Sequence, residues 1–246
     1  MRTANPVLNV KTFERVRGDY DSVMTVQGTA TKSIILLLLL VISSSFVWKM
    51  FMESTNPQIV APWMLGGAIG GFIVALITMF KKEWSMFTAP VYAILEGLFI
   101  GGISAIFEAK FSGIVFQAVT LTFGTLFCLL IAYKTRLITV SEKFKLGVVA
   151  ATGAIGIFYL LSMILGMFGV NMPFVNGSGG LSIAISLFIV VIAALNLVLD
   201  FDFIETAADQ GAPQYMEWYG AFGLMVTLIW LYIEILRLLS KLQSRD

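Results

Sequence analysis

Seven long apolar stretches, separated by short polar connections, account for most of the 246-residue chain. A helix needs about 20 apolar residues to cross roughly 30 Å of hydrocarbon. On that measure the pattern predicts spans at 33–50, 59–80, 88–106, 114–133, 146–168, 181–203 and 218–239. The connections are too short for a soluble module, so 33–246 reads as one seven-helix transmembrane domain behind a polar N-terminal tail, 1–32. The predicted fold class is all-α, a polytopic membrane protein. Small residues recur four apart, at Gly66 and Gly70, Gly67 and Gly71, Gly97 and Gly101, and Ala150 and Ala154. Such pairs let helix backbones approach closely in lipid.

Composition agrees with a bilayer as the main partner. The chain is 58% hydrophobic and 13% charged, where a soluble domain carries about 25% charged residues. No basic cluster is interleaved with aromatics, which excludes nucleic acid as a partner class. The single cysteine, Cys128, lies inside an apolar stretch and reads as a small packing residue. The first 32 residues are too long and too mixed in charge for a cleavable leader, so the first span is expected to act as an uncleaved signal anchor.

Lys and Arg set the expected orientation. Eleven of the sixteen fall in the N-terminal segment, at Lys81 and Lys82, and between Lys134 and Lys145. The other five are Lys49, Lys110, Arg237, Lys241 and Arg245. The bias places the N-terminus in the cytoplasm, and seven spans then place the C-terminus outside. The basic C-terminal tail runs against that placement. Connection 169–180 is uncharged and rich in Gly, Asn and Pro, as a flexible outer loop would be. Connection 204–217 carries Glu205, Asp209 and Glu217 with no Lys or Arg. It reads either as a cation-concentrating mouth or as a solvated turn.

The carboxylates inside the spans are the candidates for function, because an ionisable group at membrane depth costs about 2.5–3.5 kcal/mol on insertion scales. On the sixth span Asn196 and Asp200 are four apart and share a face. Asp202 is turned roughly 200° from Asp200 and reaches towards the interface with Glu205. Glu96 lies near the middle of the third span with no cation on its own helix. A carboxyl at that depth must be protonated, hydrated or paired with another helix. Glu234 has Arg237 three residues on, a spacing for a structural ion pair. Trp230 and Tyr232 beside it read as interface anchors. Gln117 and Thr227 are further polar residues within spans.

The chain has no histidine. Proton sensing near neutral pH must therefore use other groups, with carboxylates first. The same lack removes Ser-His and Cys-His nucleophile pairs. Asp200 and Asp202 diverge on one helix and do not form an aspartyl pair. No phosphate-binding glycine loop is present, so the chain is not expected to be an enzyme.

The stretch Ala194-Leu195-Asn196-Leu197-Val198-Leu199-Asp200-Phe201-Asp202-Phe203-Ile204-Glu205 resembles the signature of the bacterial YccA-like branch of the Bax inhibitor-1 superfamily. So do Gly211-Ala212-Pro213-Gln214-Tyr215-Met216-Glu217-Trp218-Tyr219-Gly220-Ala221-Phe222-Gly223-Leu224, Leu95-Glu96-Gly97-Leu98 and Tyr133-Lys134-Thr135-Arg136. The resemblance implies seven helices with the last packed centrally, in a bacterial inner membrane. It implies a cation leak, typically of calcium as a transient passenger, gated by pH through carboxylates. No cofactor is expected beyond transient Ca2+. Some relatives instead bind and restrain a membrane-bound AAA protease. The resemblance assigns the sixth-helix aspartate to Asp200. Relatives that take a second acid from the last helix have no match here, where Thr227 stands in that stretch. Asp202, Glu96 or Glu234 is then left as the replacement, with Asn196 beside Asp200.

The charge bias gives a topology prediction. A C-terminal alkaline phosphatase fusion should be active and a C-terminal fluorescent-protein fusion dark. The reverse pattern would mean that one of the seven spans does not cross.

Overall fold

The structure is a computed structural model that describes residues 22–54, 56–169, 177 and 179–244. Most of the 1–32 tail, most of connection 169–180 and the last two residues lie outside that set. Seven long helices occupy the described residues: α1 (Val26–Ser54), α2 (Pro57–Phe80), α3 (Ser85–Lys110), α4 (Ile114–Lys134), α5 (Glu142–Met167), α6 (Gly180–Asp209) and α7 (Met216–Gln243). Each is long and apolar enough to cross a membrane. The protein is an all-α polytopic membrane protein. The helices outrun the apolar stretches because polar turns extend them at either end. Thus α1 begins at Val26, inside the polar segment, and α6 continues past its last carboxylates to Asp209.

The side chains account for the helix ends. Asn56 caps α2, its side chain accepting from Gln58 N at 2.9 Å, with Pro57 at the first helical position. Ser141 caps α5 by accepting from Phe144 N at 3.2 Å. Gly113, at φ 81°, opens α4, and its N–H donates to Glu108 Oε1 at 2.6 Å while Val115 N donates to Oε2. Glu108 therefore serves as a carboxylate on a helix N-terminus. α6 stops at Gly211, at φ 66°, where Ala212 N reaches Ala207 O and Gly211 N reaches Ala208 O. Those two bonds satisfy carbonyls that the helix end would otherwise orphan.

The outside of the helices is apolar. Ile42, Phe72, Phe116, Ile131, Ile157 and Phe188 are each more than half exposed, as a lipid-facing surface requires. Cys128 is exposed too, not a packing residue, because it falls on the outward face of α4. Several buried hydroxyls bond back to carbonyls of their own helices. Ser33 bonds to Thr29 O, Thr78 to Val74 O and Thr122 to Ala118 O.

Contacts gather into two compact units. The first runs to Gly102 and includes Asp202–Met225. Its helices approach closely at small residues. A Cβ on Gly67 would lie 2.5 Å from Leu95 O and 2.9 Å from Phe99 N, and one on Gly97 would lie 2.5 Å from Leu40 O. The second unit holds Ile103–Phe201 and Val226–Asp246. Ile155, Ile189 and Ile192 form its apolar cluster, with Trp230 packed against them. Trp230 is thus a core contact rather than an interface anchor. Tyr232 is likewise buried, bonded to Ser104 Oγ at 2.7 Å. Ala150 and Ala154 are exposed and mark no close approach.

Gly66 and Gly67 make a controlled comparison. Gly66 has no neighbour within 4 Å of an added Cβ, whereas Gly67 meets backbone. Gly67→Ala should lower stability by about 1–3 kcal/mol through overpacking, while Gly66→Ala should leave it unchanged or raise it slightly. Thermal unfolding in detergent reads both. Equal effects would sink the assignment of Gly67 to a backbone contact.

Candidate functional site

Asn196, Asp200 and Glu234, with the partners described below, lie on α5, α6 and α7 in the second unit. Asp200 on α6 is half-buried and hydrogen-bonded by the Thr227 hydroxyl of α7. Its Oδ2 is sealed from solvent and has no partner, the one such buried side-chain atom among the described residues. Asn196, one turn earlier, points to a different helix. Its Nδ2 donates to Thr152 Oγ1 of α5 and to Ile192 O, each at 2.8 Å. The shared face of Asn196 and Asp200 therefore does not make a single site, because the two side chains diverge to α5 and α7.

Glu234 of α7 is 2% exposed. Tyr159 of α5 donates to it, lying 2.9 Å from Oε1 and 3.0 Å from Oε2. Arg237 Nη1 lies 3.3 Å from Glu234 Oε1 and 2.6 Å from the Tyr159 hydroxyl. The Arg237 guanidinium also sits 5.0 Å from the Tyr159 ring centre. The expected Glu234–Arg237 pair is present, and Tyr159 joins it across helices. Two charges and a phenol satisfy one another, so the group is a closed structural network. Farther along α7, buried Lys241 bonds to Ser182 and Ser186 at the start of α6, with both hydroxyl oxygens 2.8 Å away.

In the first unit Glu96 is half-buried on α3. A Cβ on Gly71 of α2 would lie 2.7 Å from Glu96 Oε1, so the carboxyl fills the space that the glycine leaves. Tyr92, one turn back, is buried and packs edge-on against Phe222 at 4.9 Å. Among the described residues no Lys or Arg pairs with Glu96. Asp202 is half-buried and belongs to this unit, whereas Asp200 belongs to the other. Glu205 is exposed.

Glu217 is a different matter from the acidic-loop expectation. It is 3% exposed. Lys32 of α1 forms an ion pair with its Oε2, and Thr25 N and Oγ1 donate to its Oε1 at 2.8 and 2.9 Å. The Lys32 ammonium also lies over the Trp218 ring. Around this clasp Met24 N donates to Ala212 O at 2.7 Å and Gln214 N to Ser22 O at 3.2 Å. Ser85 Oγ donates to Tyr215 O. Glu217 therefore contributes no free negative charge to that connection.

Tyr159, Thr152, Ser182 and Ser186 were not singled out by the sequence. Ser182 and Ser186 carry one usable signal, being four apart at the start of a span. The others are single polar residues whose partners are distant in the chain. No group of three or more metal-ligating side chains occurs among the described residues.

The fold and these in-span carboxyls define a polytopic helical membrane protein with polar groups held between its helices. The chain matches the family model described as Bax inhibitor 1 like over residues 5–244, and it belongs to that family. Comparison with curated proteins and with solved structures gives no match.

The clasp gives a stability prediction. Lys32→Met leaves a buried carboxylate without its cation and should cost about 3 kcal/mol. Lys32→Met combined with Glu217→Gln should recover much of that loss, because no lone charge remains. Denaturation in detergent measures the cycle. If the single and double variants match the wild type, the pair contributes nothing.

Proposed function

We propose that this Bax inhibitor-1-like protein is a slow, pH-dependent cation leak in a bacterial inner membrane, with calcium as the ion. The observation that carries the reading is Asp200. It is a carboxyl with one hydrogen bond to Thr227 and a second oxygen that is buried and unpartnered. As a carboxylate it can only accept, so Oδ2 stays unsatisfied. As a carboxylic acid it can also donate. Protonation changes what Asp200 can bond to on α7, and a helix contact that depends on protonation is what a pH gate needs. Thr227 holds the place of a second acid and supplies the partner. Glu96 is the next group to follow, since it meets Gly71 and has no cation. Asp202, Asn196 and Glu234 take secondary parts, with Glu234 as a structural member. No cofactor and no catalytic step belong to this reading.

A second reading is a regulator that binds a membrane AAA protease without transport. The clasp supports it. Residues 22–25 are tied to connection 210–217, so a partner gripping the N-terminal segment would pull on that connection.

Purified protein in calcium-free liposomes with an internal indicator tests the leak across a pH series. Wild-type flux should change with pH. Asp200→Asn, fixed neutral and still able to bond, should flatten the profile. A profile unchanged in Asp200→Asn removes Asp200 from the gate. Absence of calcium flux at every pH from folded protein would overturn the leak, and co-purification with a membrane protease would then favour the regulator.

A further inference from the structure

Lys241 lies near the end of α7 and is 8% exposed. Its ammonium has three oxygens around it: Ser182 Oγ and Ser186 Oγ, each at 2.8 Å, and the Ser182 carbonyl at 3.5 Å. Both serines are 2% exposed. All three oxygens are uncharged, and no carboxylate forms an ion pair with Lys241 among the described residues. The nearest carboxylate on its own helix, Glu234, is already engaged by Tyr159 and Arg237. A buried cation is ordinarily paired with a negative charge. Here it is coordinated instead, by the kind of neutral oxygen set that replaces the hydration shell of a monovalent ion.

We infer that Ser182 and Ser186 build a monovalent-cation site that the protein fills with its own Lys241 ammonium. Three observations bear on the class of ion. The two hydroxyl oxygens at 2.8 Å suit an ion about as large as ammonium or K+, and the Ser182 carbonyl at 3.5 Å is an outer neighbour. Calcium takes carboxylates and 6–8 oxygens at about 2.3–2.6 Å, which this set does not offer. The serines are one turn apart on α6, so their hydroxyls converge without distorting the helix. A four-carbon stem tethers the cation, and that occupancy closes the site to free ions. It also fastens the first turns of α6 to the last turns of α7. The inference stands on these contacts and does not need the leak proposed above.

The test removes the tethered ion and offers a free one. Lys241→Ala is purified in potassium, rubidium or ammonium salts and compared with choline chloride at equal ionic strength. Its Tm should rise by about 3 °C or more in K+, Rb+ or ammonium relative to choline, with no such difference in the wild type. Adding Ser182→Ala and Ser186→Ala should abolish the response, and CaCl2 should not substitute. A Tm indifferent to all of these ions overturns the inference. So does a response that survives loss of both serines. Failure to recover folded Lys241→Ala in any of the salts also overturns it, because a free cation should replace the tethered one. If the wild type shows no calcium flux in liposomes, the leak reading fails alone and the stability assay still decides this site.

Discussion

Hydrocarbon offers no hydrogen bonds, so every polar group that a spanning helix turns inward must find its partner on protein. That constraint organises the polar interior of this molecule. Isolated hydroxyls fold back on their own helix, as Ser33 and Thr122 do. Amides and phenols reach one helix across, as Asn196 does to Thr152 and Tyr232 to Ser104. Charges are met by charge in the Lys32–Glu217 clasp, and by charge plus a phenol at Glu234. Lys241 is met by oxygen dipoles alone. Against that regularity Asp200 Oδ2 is the exception, buried without a partner. An unsatisfied polar atom costs about 1–3 kcal/mol, which sets this oxygen apart from the other buried polar groups described.

Magnitudes separate the groups that hold the structure from those free to change. Interhelical hydrogen bonds in membranes average about 0.6 kcal/mol, so the Asn196–Thr152 and Tyr232–Ser104 contacts set register more than they set stability. Breaking one side of a buried ion pair costs several times as much. The clasp at Glu217 is therefore the stronger fastening in its unit, and rearrangement at Asp200 involves only a weak bond to Thr227.

The architecture was legible because hydrophobic stretches long enough to span are few and unambiguous, and all seven predicted spans are helices. Close packing was legible at Gly67 and Gly97, where the small-residue spacing coincides with a neighbour's backbone. The same spacing misled at Ala150 and Ala154, since it records what a helix permits and not which face meets a partner. Partners were the harder part. Glu234 and Arg237 lie on one helix and were paired from spacing alone, but Tyr159 is 75 residues away from Glu234. Lys32 and Glu217 are 185 apart, so charge counting left Glu217 as a free acid. Tyr232 read as an interface anchor for the same reason, since its Ser104 partner has no sequence signal.

α6 brings these strands together. It is one continuous helix from Gly180 to Asp209, and its unusual groups occur along its length. Ser182 and Ser186 in its first turns hold Lys241. Asn196 and Asp200 at its middle turn to α5 and α7. Beyond its last turn Ala212 and Gln214 are bonded to Met24 and Ser22. The helix is held near both ends by groups other than Asp200, and between them it carries the one buried side-chain oxygen without a hydrogen-bond partner among the described residues.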